Sequence, residues 1–272
     1  RRENVENYIR RLQKLEELTG KKGSDERYQE VMEYSGRTSR AWLAATACAK
    51  YEPSPFNGFD LLEAYIRICR EENVTLGLSV DVYYNQYASI AKSDWTTVTN
   101  GSEKGLSDRY YSPASEEFKA YFVDYIEYIV SEYEIDTLLL DYLRYPKFRE
   151  NCDLGYDYDT LSRFSSQYGI PTAEANALAT ELFKSPHWKK WVEFKTSLVT
   201  DMAKSISESV RTARSDVDII AISARDTVDY FYMQDTIQWL EDGIIDGICL
   251  SLYERDALEN DTINPLAYDD QL

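Results

Sequence analysis

From residue 58 onward, short apolar runs of strand length alternate with amphipathic stretches of helical period, and this alternation constrains the fold most. The clearest run is Leu138–Leu143, in which the continuous apolar residues before Asp141 are typical of a strand buried on both faces. Strands that alternate with helices pair in parallel. Since the chain has 272 residues and one (β/α) barrel takes about 250, we predict an α/β fold of the TIM-barrel type.

The remaining elements follow from hydrophobic period and from the residues that interrupt it. Residues 1–57 are expected to form a helical segment that is part of the barrel or packed on it, and residues 58–272 the barrel itself. The barrel is therefore either incomplete or irregular in its N-terminal part. The predicted helices are Asp60–Asn73, Ser115–Tyr133, His187–Arg214 and Tyr232–Glu241, and the predicted strands are Leu76–Tyr84, Leu138–Leu143, Ile219–Ala224 and Ile244–Tyr253.

Composition excludes several classes of function. The formal net charge of −18 repels a phosphate backbone, so nucleic acid is not an expected partner. No apolar run reaches the ~20 residues of a transmembrane segment. The single histidine, His187, excludes a multi-histidine zinc site, and we predict no metal and no cofactor. Of the four cysteines, Cys69 and Cys249 lie in predicted elements and are expected to be buried free thiols.

Acidic residues stand at or just beyond the C-terminal ends of the predicted strands, at Asp81, Asp141, Asp226 and Glu254. A parallel barrel gathers the side chains at these ends around one mouth, where active sites lie. Two carboxyl groups at such a mouth are what glycoside hydrolysis requires, because one protonates the leaving oxygen and the other acts as nucleophile or base. The sequence therefore predicts a carboxylate site there.

Asp141 is the sharpest candidate, because a charge directly after a buried strand is costly unless it is paired or functional. An ion pair with Arg144, three residues further on, is the alternative to a catalytic role. Glu254 and Asp226 are both candidates for the second catalytic carboxylate. Asp81 is expected to bind substrate or orient a partner. The residues expected to line the substrate site with it are Tyr83, Asn85, Tyr142, Arg144 and Tyr253.

A resemblance to a known family supports this interpretation. The stretch Tyr111–Phe118, a long helix, and then Tyr133–Pro146 with its Asp141-Tyr-Leu-Arg-Tyr-Pro end resemble the core of the glycoside hydrolase-like family 10 proteins. The later stretches Gly155–Gly169, Trp188–Trp191 and Gln234–Ile248 are similar to the segments that follow in that family. Together the matched residues run from about 58 to 256.

The resemblance implies a TIM-barrel glycosidase-type domain with Asp141 at the family's strand-end acid. It also implies a secreted or cell-envelope protein acting on a carbohydrate polymer such as a cell-wall glycan, although the chain itself shows no signal peptide. Two other functions stay open at this point: a non-catalytic carbohydrate-binding barrel, and a structural or assembly domain.

Overall fold

We describe a computed structural model of the chain for residues 58–101, 107–148, 153–223 and 232–251. The chain divides into two compact units, Arg1–Ala64 and Tyr65–Leu272. Of the first unit only the start of one helix is described, so the helical segment predicted for residues 1–57 lies outside the described residues. All that follows concerns the second unit, apart from that helix.

Four strands form one parallel sheet in the described residues, with β1 at Gly77–Asp81, β2 at Thr137–Asp141, β3 at Asp218–Ser223 and β4 at Gly247–Leu250. The strands lie side by side in chain order. The prediction of an α/β fold with a parallel sheet is therefore confirmed. These four strands make an open sheet, and its closure into a barrel stays a prediction.

The two faces of the sheet differ in cover. On one face the side chains are fully buried at four positions, which are Leu138, Leu140, Ile219 and Ala221. The other, which we call the open face, carries half-buried or exposed side chains at Ser79, Asp81, Leu139, Asp141 and Ile220. Because side chains alternate along a strand, Asp81 and Asp141 fall on the same open face.

Two glycines help to pack the open face. A Cβ atom at Gly77 would lie 2.8 Å from Leu139 Cδ1, and one at Gly247 would lie 2.8 Å from Ile220 Cδ1. Each glycine thus leaves room for the large side chain of a neighbouring strand. A larger residue at either position would have to displace that side chain.

The helices match the predicted periodicity closely. Ser115 caps the helix Glu116–Glu132 by accepting a hydrogen bond from the Phe118 N–H, and two acidic residues follow in its first turn. This helix, α3, packs along the 26-residue helix Trp188–Ala213, α6. The other helices are α1 at Gly58–Glu71, α2 at Ala88–Lys92, α4 at Tyr158–Tyr168, α5 at Thr172–Glu181 and α7 at Thr236–Glu241, with short 3₁₀ turns at Ser93–Trp95 and Leu182–Lys184.

Several details differ from the predictions; among them, β1 ends at Asp81 rather than Tyr84, and β4 begins at Gly247 rather than Ile244. The last described helix begins at Thr236 rather than Tyr232, because Asp235 caps it by accepting from the Gln238 N–H. The loop predicted after β1 contains the short helix α2. Cys69 and Cys249 are free thiols as predicted, but Cys69 is half-buried and Cys249, on the open face, is exposed.

A buried ion pair fixes the loop that leads from β2 towards α4. Lys195, on the buried side of α6, places its Nζ 2.9 and 3.0 Å from the two Asp153 carboxylate oxygens and 3.0 Å from the Leu154 carbonyl oxygen. Burial lowers the pKa of Lys195, and the charge of Asp153 opposes this shift. The Tyr156 hydroxyl also donates to Asp153, at 2.8 Å. Every charge in this buried group therefore has a partner.

Gly155 completes this arrangement. Its φ of +109° lies in the region that favours glycine, and an added Cβ would lie 3.1 Å from Lys195 Cδ. Its N–H donates to the Thr97 hydroxyl at 3.0 Å, which ties the loop after β1 to the loop after β2. Both loops of the carboxyl end of the sheet are thus held on a common buried support.

Candidate functional site

Asp81 and Asp141 end neighbouring strands in the same register. They are Cα partners in the parallel pairing of β1 with β2, and neighbouring strands lie about 4.8 Å apart. Asp81 is exposed and Asp141 half-buried. The pKa of Asp81 is raised, first because neighbouring groups remove part of the water around its carboxyl group and second by the negative charge of Asp141. Two carboxyl groups therefore meet at the carboxyl end of the sheet.

A backbone amide fixes the Asp141 carboxylate. Its Oδ1 accepts a hydrogen bond of 2.7 Å from the N–H of Tyr142, the next residue. Tyr142 has a φ of +49°, a left-handed conformation that costs a non-glycine residue roughly 1–2 kcal/mol. The charge-assisted hydrogen bond offsets part of this cost. The bond also leaves Oδ2 as the carboxylate oxygen that the turn does not use.

Arg144 does not neutralise Asp141. The guanidinium lies over the Tyr142 ring, 5.1 Å from its centroid, and over the Tyr232 ring, 4.7 Å from its centroid. Among the described residues no carboxylate oxygen lies within ion-pair distance of it. The structural alternative for Asp141, an ion pair with Arg144, is therefore not what this structure shows.

Three tyrosines surround the same strand ends. The Tyr84 ring stacks on Tyr142 with centroids 4.7 Å apart, and the Tyr110 ring meets both edge-on, at 5.4 and 6.2 Å. Burial raises the pKa of Tyr110, and the Arg144 charge opposes the shift. Tyr84 and Tyr110 were not among the predicted site residues. No sequence signal could have found Tyr110, because its position depends on how the loop after β1 folds back, through an antiparallel bridge with Tyr84.

Tyr83 is set apart from this surface. Only 1% of it is exposed, and its ring packs 5.9 Å from the Phe118 ring of α3. Its hydroxyl is buried without a hydrogen-bond partner among the described residues. Because Tyr83 is buried against α3, it does not belong to the proposed substrate site.

A cavity of about 430 Å³ lies beside Asp81, between the end of β1 and α3. Asn85 lines it and donates to the Tyr111 hydroxyl at 3.2 Å. Trp95 also lines it and donates its indole N–H to Glu117, at 3.0 Å. The Tyr121 and Tyr125 rings of α3 lie nearly parallel along its wall, with centroids 6.4 Å apart. The cavity therefore combines aromatic faces with a few fixed polar groups.

The remaining predicted site residues are Asp226, Tyr253 and Glu254, and they lie outside the described residues. They follow β3 and β4, so their roles stay predictions. Within the described ranges, no group of three or more histidine, cysteine or acidic side chains is placed to hold a metal ion. The same ranges contain no helix with the length and apolarity of a membrane span.

Sequence comparison shows the family. The profile of the glycosyl hydrolase-like 10 family matches residues 80–268. The chain belongs to the glycosyl hydrolase-like 10 family. This confirms the resemblance found in the strand that ends at Asp141. Residues 1–79 instead match the D-component of 2-hydroxyglutaryl-CoA dehydratase, although β1, at Gly77–Asp81, pairs with β2 of the family's sheet.

Two curated relatives share the dehydratase description. The chain is 34% identical over 94 residues to the (R)-phenyllactyl-CoA dehydratase alpha subunit of Clostridium sporogenes, covering 34% of this chain and 23% of that one. It is 25% identical over 207 residues to the (R)-2-hydroxyglutaryl-CoA dehydratase alpha subunit of Acidaminococcus fermentans, covering 60% and 43%. This glycosyl hydrolase-like 10 chain thus spans less than half the length of either relative.

A solved structure agrees with the family on the fold. The glycoside hydrolase domain of PgaB from Bordetella bronchiseptica superposes with a TM-score of 0.53 at 13% identity, covering 68% of this chain and 52% of that one. At this level of identity the likeness concerns the fold alone. A glycoside-hydrolase-type α/β fold is therefore shown for this member of the glycosyl hydrolase-like 10 family.

Proposed function

We propose that residues 58–272 form a glycoside hydrolase domain that cleaves a polysaccharide or cell-wall glycan at the carboxyl end of its sheet. The observation that carries the proposal is the in-register pair Asp81 and Asp141 on the open face. Glycosidases need two carboxyl groups on either side of the scissile bond. Asp141 was predicted as catalytic, and the register adds Asp81 as a candidate partner.

The environments of the two carboxyl groups suit different roles. Asp81 has the raised pKa, as a general acid needs if it is to keep its proton. Asp141 is oriented by the Tyr142 amide, which suits a nucleophile of fixed direction. The Cα atoms of the two residues lie one strand spacing apart, about 4.8 Å, so both carboxyl groups can reach one bound sugar.

The surroundings favour a sugar as substrate. Aromatic rings bind the C–H faces of sugars, while hydroxyl and amide groups bind their edges. The stacked Tyr84 and Tyr142 stand next to Asp141, and the cavity beside Asp81 adds Trp95 and Asn85. A chain bound across both carboxylates would contact one group of rings on each side.

Asp226 and Glu254 remain the competing candidates for the second carboxylate, because they follow β3 and β4 in the same sheet. Both assignments are tested by a set of single variants: Asp81→Asn, Asp141→Asn, Asp226→Asn and Glu254→Gln. Loss of an acid–base partner lowers the rate by about 10²–10⁴-fold. We expect that loss for Asp141→Asn and Asp81→Asn on cell-wall glycans and common polysaccharides.

Asp124→Asn is the matched control, since Asp124 is an exposed carboxylate on α3. Its turnover should equal that of the unchanged chain. Aryl glycosides with a good leaving group separate the two roles, because they need less protonation. They should restore turnover to Asp81→Asn and leave Asp141→Asn inactive. Undiminished hydrolysis by Asp141→Asn would end the proposal.

A non-catalytic carbohydrate-binding domain is the second candidate, and one observation favours it. Asp141 has a structural task at the Tyr142 turn, so its presence does not require catalysis. A structural or assembly role for the domain belongs to the same class. Binding of a glycan with no turnover by the unchanged chain, and with equal affinity in Asp81→Asn, would establish this candidate instead.

The proposal includes export to the cell envelope, where a cell-wall glycan would be met. It rests on the family to which the chain belongs. Fractionation of cells that express the full gene provides the measurement, and recovery of the protein in the cytoplasm alone would contradict this part of the proposal.

A further inference from the structure

Arg144 is a half-buried cation at the edge of the candidate site. It lies three residues after Asp141 and contacts the Tyr142 and Tyr232 rings, at 5.1 and 4.7 Å from their centroids. Tyr232 is only 5% exposed, so one of the two contacting rings is itself fixed by packing. Cation–π contacts with two rings restrict the directions in which the guanidinium can point.

The guanidinium has no oxygen partner in the described ranges. An arginine carries five N–H donors in a planar fork, and no hydrogen bond or ion pair within those ranges uses any donor of Arg144. Four other described arginines each bind at least one carboxylate, namely Arg70, Arg163, Arg211 and Arg214. The two described arginines that bind none, Arg67 and Arg109, are exposed to solvent. A half-buried cation whose donors have no partner among the described residues is the kind of group that a ligand satisfies.

Tyr142 connects this cation to the carboxylate. Its backbone N–H is bound to Asp141, and its ring lies against Arg144. The Tyr110 ring, edge-on to Tyr142, has a hydroxyl that feels the charges of both Arg144 and Asp141. A sugar unit bound at Asp141 would therefore lie next to the side chains that surround the Arg144 guanidinium.

We propose that Arg144 binds the oxyanion of an acidic sugar, so that the glycan acted on at Asp141 carries carboxylate or sulfate groups. The proposal rests on the proposed function, because it requires a sugar chain at Asp141. The planar fork matches an oxyanion with two parallel hydrogen bonds. The net charge of −18 opposes an acidic glycan at long range. Recognition of an acidic glycan must therefore come from a short-range contact such as the one that the Arg144 guanidinium offers.

The test measures binding by calorimetry on the full chain carrying Asp141→Asn, so that hydrolysis does not interfere. Three tetrasaccharides of the same linkage serve as probes: a hexuronate, a sulfated one and a neutral one. We expect at least one of the two acidic probes to bind the Asp141→Asn chain more tightly than the neutral probe does. The probe with the higher affinity identifies carboxylate or sulfate as the group bound.

Arg144→Gln should weaken binding of the preferred acidic probe by about tenfold to a hundredfold, the range for a hydrogen bond to a charged group. Arg144→Lys keeps the charge without the fork and should lose less. Lys190→Gln is the matched control, because the exposed Lys190 also lies over an aromatic ring, Tyr168, at 5.7 Å, and does not line the cavity beside Asp81. Its affinities should stay within about twofold, as for most surface changes.

Equal affinity for acidic and neutral probes would overturn the inference, as would an equal loss for all probes in Arg144→Gln and Arg144→Lys. These outcomes are distinct from failure of the proposed hydrolase. A chain that cleaves neutral glycans regardless of Arg144 loses this inference and keeps the function. A chain that binds acidic glycans through Arg144 without cleaving any keeps the inference as a binding property.

Discussion

Asp153 and the pair Asp81–Asp141 show two opposite ways of placing carboxylates in one molecule. Asp153 is 3% exposed and holds the fully buried Lys195, with a tyrosine hydroxyl as a further donor. Asp81 and Asp141 end neighbouring strands on the open face, and no described cation pairs with either. The first arrangement is neutral and closed, whereas the second brings like charges together where a ligand can reach them.

The buried Lys195–Asp153 pair is suited to a structural role, whereas the pair Asp81–Asp141 is suited to chemistry. A buried pair that satisfies all its charges holds loops in place and has nothing left to offer a substrate. A carboxyl group whose pKa is raised beside a second carboxylate, as that of Asp81 is beside Asp141, is an arrangement that acid–base catalysis uses. The loop held by Asp153 and the loop after β1 are joined through Gly155 and Thr97, so the closed arrangement supports the open one.

Removing one charge of the buried Lys195–Asp153 pair should have the largest effect on the free energy of unfolding. Lys195→Met leaves Asp153 buried without its cation, and removal of one partner of a buried pair typically costs about 3–5 kcal/mol. Urea unfolding measures the loss. The double variant Lys195→Met with Asp153→Leu should recover most of it, because no buried charge remains. Lys119→Met, at the exposed pair with Asp201, is the control and should lose less than about 1 kcal/mol.

Gly155→Ala should have a smaller effect on the same support. The residue must adopt φ +109° and press a methyl group towards Lys195 Cδ at 3.1 Å, so we expect a loss of about 1–3 kcal/mol. Gly169→Ala is the control, because Gly169 has φ +62° but nothing within 4 Å of the added Cβ. It should lose roughly 1 kcal/mol. Equal losses at the two glycines would show that Lys195 is not crowded.

The smallest expected effect concerns the pKa of Asp81, on the open face. The pKa of Asp81 is raised from 3.8 chiefly by partial desolvation of its carboxyl group and less by Asp141. In Asp141→Asn it should therefore fall only part of the way, as measured by carbon-detected NMR titration of the Asp81 carboxyl. A return to the ordinary value would mean that the charge of Asp141, and not desolvation, dominates.

The same shift fixes the sign of a pH effect on stability. A carboxyl group whose folded pKa is raised favours folding in its protonated form, so this contribution is present below pH 3.8 and is lost as pH rises through the folded pKa. Asp81→Asn should therefore be the more stable chain at neutral pH and should lose that advantage in acid. Thermal unfolding of Asp81→Asn and of the unchanged chain, at neutral pH and in acid, checks the direction of this difference in stability.

The sequence predicted the parts of this fold that depend on local pattern. The apolar run before Asp141 located β2, and Ser115 before two acidic residues marked the start of α3. Lys195 could have been noticed as well, because it lies at helical spacing among Trp191, Leu198 and Met202, all of them buried. A lysine on such a stripe indicates a buried partner.

The parts that depend on long-range pairing were not predictable in the same way. The register that sets Asp81 beside Asp141 joins residues 60 positions apart, and nothing in either strand specifies it. The loop after β1 brings Tyr110 to Tyr84 through a bridge that local propensity does not encode. Asp81 was therefore expected as a substrate ligand, although its environment suits it to proton transfer.

The hydrogen bond from the Tyr142 N–H to Asp141 has a consequence for how this lineage can diverge. Selection for folding alone would retain Asp141, because its loss leaves a left-handed tyrosine without the acceptor that stabilises it. The Asp81 side chain accepts no hydrogen bond from a described backbone group, so it can be substituted once selection for catalysis ends. Among descendants of this domain, an intact Asp141 with a changed Asp81 would mark members in which the proposed catalysis has been lost.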